Sequence, residues 1–221
     1  MVRENFTRHI KELENDVMDM GKMVIAAIER SMEALKARDI GAARQIIEDD
    51  KLINTRRWEI EEKCINLIAL QQPVAVDLRE IIAILYVITD LERIGDYAEG
   101  IGKIVIMLGD EPLIKPLVDI PLMAERAVSM LRRSLDAFIN CDAGTAEAIC
   151  NEDDEVDKLY DRVYHELLSF MAEDPKIIAR ATPLIWASHN LERMADRVTN
   201  ICERTAYLAT GTMREIKVSR Y

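Results

Sequence analysis

The sequence is poor in the residues that build sheets and tight turns. Aromatic residues make up only 5% of the 221 positions, and there are 8 glycines and 6 prolines. Charged residues, by contrast, reach 31%. This balance argues against a β-sandwich or a Rossmann sheet and favours long amphipathic helices, so we predict an all-α protein.

The chain also lacks an excess of basic residues and any long apolar run. Its net charge of −11 leaves no electrostatic footprint for nucleic acid and would be repelled by an acidic membrane surface. The longest aliphatic run, 81–88, is too short to cross a bilayer, and the N-terminal residues hold no apolar signal segment. We therefore expect a cytoplasmic protein that does not insert into membranes.

Cysteine and histidine are too few and too scattered for the common sites that use them. No C-x-x-C spacing occurs among the four cysteines, which predicts mostly buried free thiols rather than a zinc site or disulfides. A ferritin-like di-metal oxidase would need Glu-x-x-His motifs. The residues three positions before the histidines are Phe6, Arg162 and Trp186. The oxidase is thus the weaker alternative, and we expect no enzyme.

Apolar spacings of three and four residues predict three helices in the first half. The first runs over about residues 5–38, and Asp39 is the expected N-cap of the second. The second ends where Gln71-Gln72-Pro73 interrupts the pattern, and Pro73 is expected to open the third. The third ends in the turn at 109–112.

The second half repeats this scheme. Asp142 is the counterpart of Asp39, the fifth helix breaks at 173–175, and Gly211 stops the sixth before a short, mildly basic tail. The repeat is most direct between DLERIGDYAEGI at 90–101 and NLERMADRVTNI at 190–201. We predict two tandem three-helix up-down bundles, 1–112 and 113–221, lying either side by side or end to end.

Carboxylates recur at matching places on the third and sixth helices. Glu92 and Asp96 stand four residues apart, with Glu99 continuing the stripe, and Glu192 and Asp196 repeat the pair. Like charges at this spacing destabilise an exposed helix by a few tenths of a kcal/mol. Their repetition indicates a site rather than a solvated face.

Acids also interrupt the apolar seams of the second and fifth helices. Asp153 falls on the buried face of the fifth helix with Asp157 beside it, and aligning the capping aspartates places Asp50 and Asn54 at the same positions of the second. A buried carboxylate needs a positive partner. Two helices that each offer oxygen ligands can hold a hard cation.

Two interpretations of these acids stay open. Oxygen ligands favour magnesium, manganese, calcium or iron over structural zinc. Internal salt bridges to neighbouring arginines are the alternative, and the candidates are Arg57, Arg93, Arg193 and Arg197. His189, three residues before Glu192, could add a ligand to the second site only, because its counterpart is Thr89.

The chain resembles the PhoU family of phosphate-signalling regulators of bacteria and archaea. The similarity covers nearly the whole chain and rests on several motifs taken together. These are the two Leu-Glu-Arg-x-x-Asp copies, Gln71-Gln72-Pro73 followed by Asp77-Leu78-Arg79, Asp153-Asp154-Glu155-Val156-Asp157, and Asp196-Arg197-Val198-Thr199-Asn200-Ile201.

The resemblance implies a metal-binding negative regulator of phosphate uptake that links the ATP-binding subunit of a phosphate ABC transporter to a phosphate-sensing histidine kinase. Related proteins accompany other phosphate transporters. The metal would be a divalent or trivalent ion among iron, manganese, magnesium, calcium and zinc. Its ligands would be Asp50, Glu92 and Asp96 in the first half, and Asp153, Asp157, Glu192 and Asp196 in the second. A homodimer fits long helices with methionine-rich faces.

Two positions depart from the family pattern in the first half. Asn54 stands where the motif prefers an acid, and Gly100 stands where Asn200 supplies an amide. We therefore expect the second bundle to bind metal more tightly, with a ligand set about one charge more negative. A helical adaptor with acidic faces and no metal is the remaining alternative.

Overall fold

The computed structural model describes residues 2–213 and Ile216, with side chains from residue 5 onward. This part of the chain consists of six long α-helices without a strand. The helices are α1 (Val2–Ala37), α2 (Ile40–Gln71), α3 (Val76–Leu108), α4 (Asp119–Ile139), α5 (Ala143–Glu173) and α6 (Ile178–Thr210). The all-α prediction is confirmed, whereas most of the basic tail expected after Gly211 lies outside the described residues.

Both predicted aspartate caps are confirmed. The Asp39 carboxylate accepts a hydrogen bond from the backbone N–H of Ala42 at 2.9 Å, and Asp142 accepts one from the N–H of Thr145 at 3.0 Å. Such a cap satisfies a backbone donor that the helix itself leaves open, which is worth about 1 kcal/mol. The caps thus fix where α2 and α5 begin.

The prediction that Pro73 opens the third helix is wrong. Gln72 adopts a left-handed conformation, with φ at 46°, and its N–H closes α2 on the carbonyl of Ile68. Ala75 also has a positive φ, 51°, so the backbone turns once more before α3 begins at Val76. The backbone thus reverses twice between α2 and α3, at Gln72 and at Ala75, whereas the proline pattern predicts that α3 begins at once.

The two bundles lie side by side. Within each half the three helices pack on one another, α1 also contacts α4, and α3 packs along α6 as the central pair. The central helices are antiparallel, because Arg79 near the start of α3 stacks on Tyr207 near the end of α6, at 5.2 Å from the ring centroid. One hydrophobic core runs through both halves. No described helix is long and apolar enough to span a membrane.

The cysteines follow the prediction with one exception. Cys64, Cys150 and Cys202 are buried free thiols, and burial raises the pKa of the Cys64 thiol to about 12. Cys141 is exposed, because it stands in the turn between α4 and α5 with φ at 50° rather than on a helix face.

Candidate metal centres

The first cluster consists of Asp50 from α2 and Glu92, Asp96 and Glu99 from α3. Burial and, to a lesser extent, the charges of the three α3 acids together raise the pKa of Asp50 to about 6. A neutral neighbour, the Asn54 amide, donates to Asp50 at 2.7 Å and partly offsets this. The structure thus brings Asp50, Glu92 and Asp96 together as the sequence predicts.

Basic side chains neutralise part of the first cluster from its α3 side. Arg93 lies 3.6 Å from Glu92 and 3.3 Å from Asp96, and Lys103 lies 2.5 Å from Glu99. The Arg93 side chain is 56% exposed, so its pairs are screened by solvent and contribute little. No described basic group forms an ion pair with Asp50, and no basic side chain contributes to the shift of its pKa. Salt bridges therefore account for only part of this cluster.

A cavity gives solvent access to the first cluster. It has a volume of about 240 Å³ and lies between α1, α2 and α3, with Asp50 and Glu99 in its wall. Gly95 forms part of the same wall, and a Cβ there would meet Ile53 at 3.2 Å. The Asp50 carboxylate therefore faces an open cavity rather than packed side chains.

The second cluster consists of Asp153 and Asp157 from α5 and Glu192 and Asp196 from α6. Burial, together with the charges of the other three acids and against the opposing charge of Arg193, raises the pKa of Glu192 to about 7. Asp153 is 5% exposed and Glu192 9% exposed. All four residues are those predicted from the sequence, and the other three lie close enough for their charges to act on Glu192.

One oxygen of the second cluster is buried without a hydrogen bond. Glu192 Oε2 is shielded from solvent, and its close neighbour His189 Nδ1 lies at 3.4 Å, a contact too loose in geometry to be a hydrogen bond. Burial and the charge of Arg193 lower the pKa of His189, so the imidazole is neutral at pH 7. A buried carboxylate is destabilising unless a cation meets it or it takes up a proton, and the raised pKa of Glu192 favours that uptake.

Both clusters have the donors of a cation site but not its closed geometry. As the side chains stand, no three described His, Cys, Asp or Glu residues converge tightly enough to hold a metal ion. The donor chemistry nevertheless fits a cation, because carboxylates that repel one another at partial burial are stabilised by a bound positive charge. The metal assignment of these residues stays a prediction.

Asn200 and Gly100 lie outside the clusters, contrary to the sequence interpretation. The Asn200 amide donates to Asp90 across the α3–α6 interface at 3.1 Å. At the equivalent place in the repeat, a Cβ on Gly100 would stand 2.7 Å from the amide nitrogen of Asn190. The two positions therefore decide how the halves pack. The sequence carries a signal of this difference. Residue 90 is Asp where residue 190 is Asn, and residue 100 is Gly where residue 200 is Asn.

A fourth carboxylate lies beside the three ligands predicted in the first half. Glu99 belongs to the first cluster, where its charge raises the pKa of both Asp50 and Asp96. Its counterpart in the second half is Thr199, while the acid Asp157 stands where the first half has Asn54. Each cluster therefore holds four carboxylates, arranged differently on the two helices.

Comparison with known proteins decides the family. The model of the PhoU domain matches the chain twice, over residues 17–105 and 120–205. The chain belongs to the PhoU family. The PhoU repeats correspond to α1–α3 and α4–α6, so the duplication inferred from the two Leu-Glu-Arg motifs is a duplication of this domain.

Relatives of the PhoU family match over almost their whole length. The phosphate-specific transport system accessory protein PhoU homolog of Clostridium acetobutylicum is 41% identical over 212 residues, which are 96% of this chain and 97% of that protein. The homolog of Aquifex aeolicus is 38% identical and covers 92% of each chain. The crystal structure of PhoU from Pseudomonas aeruginosa is 35% identical with a TM-score of 0.89, covering 94% of this chain and all of that one.

The crystal structure of the phosphate transport system regulatory protein PhoU from Streptococcus pneumoniae is equally similar in fold. It is 33% identical with a TM-score of 0.89, and the match covers 95% of this chain and 99% of that one. The side-by-side arrangement of two three-helix bundles is thus the arrangement of a solved family member.

Proposed function

We propose that this protein is an accessory regulator of phosphate transport, with no catalytic activity of its own, that restrains phosphate uptake and phosphate-responsive signalling from the cytoplasm. The observation that carries the proposal is 41% identity, over 96% of this chain, to a protein named as an accessory protein of a phosphate-specific transport system. The proposed partners are the ATP-binding subunit of a phosphate transporter and a phosphate-sensing histidine kinase.

Metal binding is part of the same proposal. The ions would be held in the first half by Asp50, Glu92 and Asp96, and in the second by Asp153, Asp157, Glu192 and Asp196. A bound ion would supply positive charge that offsets the repulsion responsible for the raised pKa values of Asp50 and Glu192. Because each cluster joins two helices, the ion would fix α2 against α3 and α5 against α6, and so shape the faces offered to partners.

A deletion strain carrying a phosphate-responsive reporter tests the regulatory role. We expect the reporter to be active even in phosphate-rich medium, and wild-type protein to restore repression. A matched pair of variants with two neutralised ligands, Asp50→Asn with Glu92→Gln and Asp153→Asn with Glu192→Gln, then shows which half repression needs.

Affinity purification from phosphate-rich cells tests the partners. Recovery of a transporter ATPase together with a sensor kinase is the expected result. Recovery of a different phosphate transporter would mean that the protein regulates that transporter instead of the ABC transporter. Unchanged reporter activity in the deletion strain, with neither partner recovered, would contradict the proposal.

A further inference from the structure

Arginines stack on aromatic rings along the seam between α3 and α6 at one end of the molecule. The guanidinium carbon of Arg204 lies 4.1 Å from the ring centroid of Tyr86, and that of Arg79 lies 5.2 Å from the ring centroid of Tyr207. Tyr86 is 46% exposed, so this contact is at the surface. Stacking holds a guanidinium in place while the N–H groups at its edge stay free to bind a carboxylate.

A third arginine extends this seam by two helical turns. Arg197 stands seven residues before Arg204 on α6, and the charges of both oppose the rise that burial causes in the pKa of Asp90. Among the described residues, no carboxylate forms an ion pair with Arg79 or Arg204, and Arg197 pairs with Asp90 alone. Arg197 Nε is also buried without a hydrogen bond. Arg79, Arg197 and Arg204, named here the arginine row, thus outnumber their acid partner three to one.

The equivalent positions at the other end of the seam carry no charge. The residues at the three arginine positions there are Ala179, Tyr97 and Ile104. Trp186 stands in place of Tyr86 and Met107 in place of Tyr207, and they are 48% and 59% exposed. Large exposed side chains are thus common to both ends, whereas the three positive charges belong to one end only. Because the scaffold packs without them at the other end, packing does not require these charges.

The surroundings of the arginine row restrict what can bind to it. The two acidic clusters stand on either side of the seam, on α2 with α3 and on α5 with α6, and the whole chain has a net charge of −11. These acids would repel a broad anionic surface such as a membrane, whereas a narrow anionic segment can follow the seam between them. Val74, Val76 and Met213 are exposed beyond Arg79, where α3 begins and α6 ends. The binding partner is therefore narrow, acidic and apolar at one end.

We propose that the arginine row is a docking surface for an acidic helical segment of a partner protein. Seven residues of a helix rise about 10.5 Å, so carboxylates two turns apart on the partner match the spacing of Arg197 and Arg204 along α6. A single phosphate ion is too small to contact both. The inference rests on the proposed regulatory function for the presence of a partner, and it does not depend on metal binding.

Fluorescence anisotropy with a labelled synthetic peptide tests the row in the full-length protein. The probe is an alanine-rich helix of about 20 residues with glutamates seven residues apart, and its control has glutamine in their place. We expect wild type to bind the glutamate peptide only. Arg79→Gln with Arg204→Gln should lower that affinity at least about tenfold, since hydrogen bonds to charged groups are lost. Arg132→Gln is the matched control, an exposed arginine of α4 that lies 3.8 Å from Glu29, and it should leave the affinity unchanged.

The aromatic positions and a charge reversal give two further readouts. Tyr86→Ala frees Arg204 from its stack and should lower the affinity about two- to fivefold. Trp186→Ala changes the equivalent position at the other end and should have no effect. Arg79→Glu with Arg204→Glu should bind a peptide with lysines in place of the glutamates and lose the original peptide. Circular dichroism checks that each variant is folded.

Equal affinity of wild type for the glutamate and glutamine peptides would overturn the docking surface, and so would binding that survives the loss of Arg79 and Arg204. Binding of inorganic phosphate or of phosphatidylserine vesicles at the row, without binding of the peptide, would overturn it as well. In the deletion strain, Arg79→Gln with Arg204→Gln should fail to restore repression. Full repression by this variant would overturn the docking surface alone, whereas failure of wild type to repress would overturn the proposed function and leave the peptide result standing.

Discussion

The first and second clusters are built on the same helix pairs of a duplicated scaffold but surrounded by different side chains. Asn54, Arg57 and Thr89 border the first cluster where Asp157, Tyr160 and His189 stand in the second. Each cluster keeps four carboxylates, but in the first one Lys103 pairs with Glu99. The duplication thus preserved the number of acids, while its divergence altered the donors and countercharges around them.

The interface between the halves shows the same divergence. Asp90, only 8% exposed, accepts from the Asn200 amide and lies 3.5 Å from Arg197. At the equivalent place the amide of Asn190 packs over Gly100 and reaches the carbonyl of Tyr97 at 3.4 Å. One end of the interface is therefore a buried charged contact, and the other is a close steric fit.

The largest loss of stability should come from mutation at the end of the α3–α6 interface where Asp90 is buried. Asn200→Ala removes a hydrogen bond to the buried Asp90 carboxylate and should lower the free energy of unfolding by about 1–3 kcal/mol. Asn190→Ala is the matched control, because its amide makes only a long contact, and it should cost less than about 1 kcal/mol. Denaturant unfolding measures both. Equal losses in the two variants would show that the two ends do not differ.

In metal-free protein the two clusters should make folding stability depend on pH in different ranges, and this effect should be smaller. Asp50 and Glu192 have pKa values of about 6 and about 7, above the ordinary values of 3.8 and 4.5. The folded state therefore holds these protons more tightly than the unfolded chain. The stabilisation is complete below the ordinary values and is lost as the pH rises through about 6 for Asp50 and about 7 for Glu192.

Thermal unfolding in chelator between about pH 3.5 and about pH 8 measures this dependence, because each decline lies between the ordinary and the raised pKa of its group. Asp50→Asn should remove the part of the decline between 3.8 and about 6, and Glu192→Gln the part between 4.5 and about 7. An excess of a divalent ion should remove both parts in wild type. A decline that is the same in wild type and both variants would contradict the pKa assignments.

Most of the fold could be predicted from local signals. Helix periodicity and the caps at Asp39 and Asp142 depend on residues close in sequence, and the structure confirms them. The start of α3 was mispredicted because a proline restricts only its own φ and its predecessor, whereas the reversal at Ala75 comes two residues later. Side-by-side packing of the halves depends on long-range contacts that periodicity does not encode.

The clusters were predictable because spacing along each helix determines which face its acids share. The interface was not, because it depends on contacts between the two halves. Acids at i,i+4 on one helix and at aligned positions of a second helix fall on one face by geometry alone. Asn200 follows Asp196 by four residues, so the spacing predicts that it extends that stripe. Its side chain turns to α3 instead, because Asp90 there is a buried carboxylate that needs a donor.

Titration of Mn²⁺ into metal-free protein, followed by calorimetry, tests most directly whether each half is a cation site. We predict a tighter and a weaker site in wild type. Asp153→Ala should lose the tighter site and keep the weaker one, and Asp50→Ala should do the reverse. Absence of binding in wild type, or loss of the tighter site in Asp50→Ala but not in Asp153→Ala, would contradict this account.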